Sequence, residues 1–164
     1  MKHQDHAHMG KQEKQMHHYR KLLLMTGLSF VSMYILMYAM VDVLGNVVNN
    51  INQVYMAGLM ATPMVIIELL VMGGMYSDKK RNGIIIALSA LALVGFFMLI
   101  RTQGGVTDRQ FLKSMIPHHA SAILMSEEAT LSDPELRELA RNIIESQQEE
   151  IRQMKAKLEA MDAQ

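Results

Sequence analysis

Residues 83–100 read G-I-I-I-A-L-S-A-L-A-L-V-G-F-F-M-L-I and contain no charge. One helix of that length crosses the hydrocarbon core of a bilayer, which takes roughly 17–25 apolar residues. Two similar runs precede it. Leu22 to Val41 is uncharged, and Val54 to Met75 carries only Glu68. Lipid offers the backbone no hydrogen-bond partners, so each run is predicted to be a helix. The first is not a secretory signal: it is long for one, it lacks a small-x-small cleavage site, and two more spans follow.

The charges give an orientation. Lys11, Lys14, Arg20 and Lys21 precede the first span, and Lys79, Lys80 and Arg81 fill the turn between the second and third. The loop from Asp42 to Gln53 has neither Lys nor Arg. By the positive-inside rule the N-terminus and the 77–82 turn face the cytoplasm. Three spans then put residues 101–164 outside, in the periplasm or at the outer face of a bacterial inner membrane. The formal net charge is zero, which gives no sign of nucleic-acid binding. No cysteine is present, so there is neither a disulfide framework nor a thiolate site. In an oxidising exterior, Met and His would be the soft metal ligands that persist.

The spans have features of their own. A carboxylate within a membrane is expensive and normally faces protein or a cavity. Glu68 is expected to meet a hydroxyl such as Thr62 or Tyr55 on a neighbouring helix, or to be protonated. Gly58 and Gly73-Gly74 would let helices approach closely. Met33, Met37 and Met40 share one helix face, and Met56, Met60 and Met64 another. A methionine ladder could pass Cu(I), but Met is an ordinary apolar residue in lipid, and three spans are few for a transporter.

The exported part reads as two helices. Thr107 with Gln110 is a helix-start signal. Asp133 and Pro134 supply an N-cap and a first-turn proline for the second helix. Apolar residues recur at helical spacing on both, including Leu112, Ile116 and Ile123 on one and Ile143, Ile144, Ile151 and Leu158 on the other. The expected result is an antiparallel hairpin. Two helices bury little core, so partner helices are expected, from another copy in a homo-oligomer or from the membrane part.

The first of these helices carries F-L-K-S-M-I-P-H-H-A-S-A-I-L-M, Phe111 to Met125. Met115 lies one turn from His118 and His119. Thioether and imidazole suit copper, above all Cu(I). If the turn centres near Leu131, position 115 faces roughly 147, and Met154, Gln147 or Glu150 could join the site. Met125 lies two turns from His118, in a second site or simply packed. The alternative reading is structural, with the methionines as core filler and the histidines as a hydrogen-bonded pair. Pro117 either only kinks the helix or turns both imidazoles to one side. The N-terminal tail holds a second set of soft ligands, His3, His6, His8, Met9, His17 and His18, with Met16 among them. Such tracts often bind metal. The tail is otherwise polar and expected to be disordered.

Residues 107–154 resemble the bacterial family called domain of unknown function 305. Its signature is an M-I-P-H-H helix, then A-x-x-M, then L-A-x-x-I-I-x-x-Q-x-x-E-I-x-x-M. The chain supplies Met115 to His119, Ala122 with Met125, and Leu139-Ala140 through Ile143-Ile144, Gln147, Glu150-Ile151 and Met154. The resemblance implies a ferritin-like helical fold and copper handling outside the cytoplasm, as some periplasmic members bind copper. Many members are soluble with two such hairpins, whereas this chain has one behind three spans. Neither G-x-S-x-G, a P-loop nor H-E-x-x-H occurs. A di-iron oxidase would need Glu-x-x-His pairs, and Glu127 and Glu128 are followed by no suitable His. The expected protein is all-α and not an enzyme. Residues 1–21 form a cytoplasmic tail, 22–100 three transmembrane helices, and 101–164 the exported hairpin. Its expected role is membrane-anchored binding of copper or silver, with a copper exporter or multicopper oxidase as partner. The alternative is a structural membrane protein whose hairpins oligomerise without metal.

Overall fold

A computed structural model describes residues 2–163, with side chains for 13 and 15–163, and every regular element among them is helical. In order these are α1 (Lys2–Leu36), α2 (Ile51–Val71), α3 (Lys79–Thr102), α4 (Asp108–Glu128) and α5 (Pro134–Asp162). Two 3-10 turns, Met37–Met40 and Leu44–Asn46, lie between α1 and α2. Three segments are long and apolar enough to cross a membrane: Gln15–Met40, Ile51–Val71 and Lys79–Thr102. At about 1.5 Å per residue even the shortest spans a core of about 30 Å.

The tail, expected to be disordered, instead continues the first span as helix from Lys2. It contains no proline and has four Lys, three Gln and three Met, which favour helix. Growth from an existing helix also avoids the cost of nucleation.

The chain divides into two compact units, and the division cuts across the sequence order. One joins Met1–Tyr34 to Tyr55–Thr102, the other Ile35–Val54 to Gln103–Gln164.

In the first unit Leu22, Val65, Leu69 and Tyr76 form a buried cluster flanked by Tyr19, Met25, Ile85 and Ile86. Glu68 does not meet Thr62 or Tyr55. Its Oε1 accepts the Tyr76 hydroxyl at 3.1 Å, while the Thr62 hydroxyl returns to the Gly58 carbonyl of its own helix at 3.0 Å. A short hydroxyl side chain bonds most readily one turn back on its own helix. Of the glycines expected to allow close approach, Gly58 does so, with the Phe96 ring resting on the place a Cβ would take. Among the described residues, no other helix comes within 4 Å of where a Cβ on Gly73 or Gly74 would be. The outward faces are apolar, as at Leu23, Val71 and Leu91.

Burial first, and then the Glu68 bond, push the Tyr76 phenol from its ordinary 10 up to about 12. A folded-state value above the unfolded one means a contribution that is whole below pH 10 and lost as pH rises through about 12. An alkaline absorbance titration is therefore expected to include a phenol step near pH 12. That step should vanish in Tyr76→Phe.

In the second unit α4 and α5 form the antiparallel hairpin. The starts read from the sequence are present. Thr107 accepts the Gln110 amide at 3.5 Å, and Asp133 accepts the Glu135 and Leu136 amides at 2.8 and 3.2 Å. Ile116, Ala120, Ile123, Ile151 and Met154 make the core, with Leu112, Met115, Ile144 and Leu158 beside it. Val41 and Val48 of the α1–α2 connector also pack on this cluster. Polar contacts fix the connector. The Gln110 Oε1 accepts the Ile51 amide at 3.0 Å, Asn50 accepts the Gln53 amide at 2.9 Å, and Asn52 donates to Ser114 at 3.2 Å. An Arg109–Asp162 ion pair ties the far ends of the hairpin.

The register differs from simple pairing about Leu131. His119 meets Glu150, two turns beyond the position such pairing assigns it. The cause is the extended backbone at Ala129 and Asp133, which carries the first turns of α5 past the end of α4. Leu136 and Leu139 are exposed there.

Candidate metal site on the hairpin

His119 is buried on α4, 7% exposed. Its Nδ1 lies 2.9 Å from the Met115 carbonyl one turn back, and its Nε2 lies 2.6 Å from Glu150 Oε2 on α5. The other Glu150 oxygen accepts the Ser146 hydroxyl at 3.1 Å. A carbonyl can only accept, so Nδ1 carries hydrogen and donates to it. Nε2 is then the nitrogen aimed across the hairpin, sharing a proton with the carboxylate in a charge-assisted bond. Metal-bound histidines use this same orientation, with one ring N–H held by a carbonyl and the other nitrogen free for the ion. Two ligands at about 2.0–2.2 Å on one tetrahedral ion stand about 3.3 Å apart. The 2.6 Å contact is therefore a hydrogen bond, which an entering ion has to displace.

Two methionines stand one helical turn from this pair. Met154, one turn beyond Glu150, is part of the buried core, and half-buried Met115 packs against that core. Gln147 sits half-buried one turn before Glu150. His118 is exposed, its ring centroid 6.1 Å from that of His119 and its plane inclined at 63° to it. The expectation that Pro117 turns both imidazoles to one side fails. Helix α4 runs unbroken through Pro117, and consecutive helical residues point about 100° apart. Met125, 54% exposed, lines an apolar groove near the turn with Leu131, Leu136, Leu139 and Ile143. It takes no part in the His119 cluster. Among the described residues no three His, Asp or Glu side chains gather as a ligand set. The sequence reading missed Ser146, whose spacing four residues before Glu150 is the one signal of its role.

The family model described as a domain of unknown function (DUF305) matches residues 97–158. An uncharacterized protein of Acanthamoeba polyphaga mimivirus is 34% identical over 141 residues, 84% of this chain and 91% of its own. The chain belongs to the DUF305 family. Its DUF305 match takes in all of α4 and α5 as far as Leu158, and so contains Met115, His119, Glu150 and Met154. The connector that completes the DUF305 hairpin core lies outside the matched residues. No solved structure matches the chain.

The second soft-ligand set of this DUF305 protein is only partly described. His3, His6, His8 and Met9 lie outside the residues whose side chains are described. His17 is exposed, 6.5 Å from His18 between ring centroids, and His18 sits edge-on to Tyr76 at 6.3 Å.

Proposed function

We propose that this protein is a membrane-anchored copper-binding protein. It holds Cu(I), or Ag(I), for metal homeostasis or resistance at the outer face of a bacterial inner membrane. The observation that carries the reading is His119, whose Nε2 is aimed across the hairpin at Glu150, with Met115 one helical turn before His119 and Met154 one turn beyond Glu150, both packed in the hairpin core. His119, Met115 and Met154 are the inner ligands. Glu150 holds the imidazole until the ion arrives, and exposed His118 meets the ion first. The metal is cargo, passed to or from a partner such as a copper exporter or multicopper oxidase.

Topology supports placing the hairpin on one side. Two candidate spans, α2 and α3, separate the connector from the hairpin on which it packs. An even number of crossings returns the chain to the side it left. Reporter fusions are expected to be cytoplasmic at Asp78 and external at Gln164. A cytoplasmic signal at Gln164 sinks the orientation.

A second reading is a structural protein whose hairpins oligomerise without metal. Two observations favour it: Met154 already fills the core, and both His119 nitrogens have oxygen partners. Titration of Cu(I) against a competing chelator separates the two. The full chain in detergent is the right sample, since a hairpin cut from its connector loses Val41 and Val48 from its core. Copper binding predicts saturation at one ion per chain or per pair of chains; the structural reading predicts none.

A further inference from the structure

The connector between α1 and α2 is inside out for a loop in water. Two of its three asparagines turn inward, Asn46 and Asn50 at 4% and 6% exposed, while Asn49 faces out. Asp42 folds over the 3-10 turn and accepts the Val43 amide and the Asn46 Nδ2 hydrogen, each at 2.7 Å. Val41 and Val48 pack on the hairpin core. The remaining apolar side chains point out, with Val43 57%, Leu44 90% and Val47 38% exposed. No other exposed large apolar side chain among the described residues matches Leu44. In water the opposite arrangement is favoured, with amides hydrated and Val and Leu covered.

Chain connectivity says what covers this face. The first candidate span ends at Met40 and the next begins at Ile51, so Val43 and Leu44 stand three and four residues beyond the end of a span. Asp42 is the sole Asp, Glu, Lys or Arg between Leu22 and Ile67, and its carboxylate is turned inward. Within the connector no other charge is present, and the cation beside the tip is Lys155 of α5, whose Nζ lies 3.9 Å from where a Cβ on Gly45 would be. A long Lys side chain can keep its ammonium at headgroup level while its stem lies along apolar surface. Apolar side chains at a membrane boundary bury about 5–10 Å deep, at the junction of headgroups and acyl chains.

We propose that Val43, Leu44 and Val47 insert into the lipid leaflet on their own side of the membrane. The connector then holds the hairpin core on one face and lipid on the other. This rests on the membrane reading above, and the experiment keeps the two apart. The chain has no tryptophan, so Leu44→Trp gives a single indole. The full chain carrying it is reconstituted in phosphatidylcholine vesicles with plain or bromine-substituted acyl chains. Leu91→Trp, on the exposed face of α3, reports insertion of the spans, and Gln148→Trp, exposed on α5, reports contact with water.

The expected result for Leu44→Trp is emission shifted to the blue of Gln148→Trp, quenching by brominated chains, and loss of most iodide quenching. Quenching by iodide as strong as for Gln148→Trp, with brominated lipid quenching only Leu91→Trp, overturns the proposal and leaves the spans in place. Shielding from iodide without bromine quenching also overturns it, and means that protein such as a second copy covers the tip. If brominated lipid quenches neither Leu44→Trp nor Leu91→Trp, the membrane reading falls as well. Should Leu44→Trp not reconstitute, Val47→Trp on the same face reads out the same outcomes.

Discussion

Replacing Ile116 by alanine is expected to destabilise the hairpin unit by about 3 kcal/mol, from the usual range of about 2–5 for a buried aliphatic truncated to alanine. Ile116 has no exposed surface, and its cluster draws on α4, α5 and the connector together. The cavity would thus open where three segments meet, with little freedom to collapse. Ile116→Val keeps most of the volume and should cost about 1 kcal/mol. Denaturant unfolding of the full chain in detergent, followed by helical circular dichroism, measures both. An Ile116→Ala protein that unfolds with the parent would show that the core lies elsewhere.

The second large effect concerns the metal. His119→Ala is expected to weaken Cu(I) binding about 100-fold, the upper end of what losing even an indirect metal contact costs. His118→Ala, which removes an exposed ring, should cost less than about tenfold. Met154→Leu is the sharper probe. It keeps the core volume and should cost under about 1.5 kcal/mol of stability, yet it deletes the sulfur. A Met154→Leu chain that folds normally but binds Cu(I) more weakly identifies a ligand. One that binds as tightly as the parent identifies core filler. If both His119→Ala and Met154→Leu bind like the parent, the N-terminal His and Met residues become the next place to look.

Much of this was legible locally. The uncharged runs gave the spans, Thr107 and Asp133 gave the starts of α4 and α5, and Ile116, Ile123 and Ile151 gave the hairpin's buried face. What escaped was non-local or depended on side-chain direction. Nothing near Asn46 or Asn50 marks them as buried, because their cover comes from a hairpin over fifty residues later. The M-I-P-H-H motif suggests a shared site for its two histidines, but a continuous helix sends His118 outward and His119 inward. The register escaped too, because the length of the 129–133 linker does not say whether it runs across the end of α4 or along it. The partner of Glu68 was sought among hydroxyls on neighbouring helices and found at Tyr76, just past the end of its own.

The connector that completes the hairpin core has a consequence for how the molecule is made. Synthesis delivers residues 35–54 early, and they must wait through two further helices for α4 and α5 to emerge. Until then Val41 and Val48 have nothing to cover, and in the proposed membrane arrangement the hairpin can close afterwards only if both intervening helices have been threaded. A chain that skipped one crossing would leave the two halves of this core on opposite sides of the bilayer. Its hairpin would stay loose and open to proteolysis. If α2 and α3 cross the bilayer as proposed, a folded hairpin is thus a receipt for correct insertion, issued only when the last segment arrives.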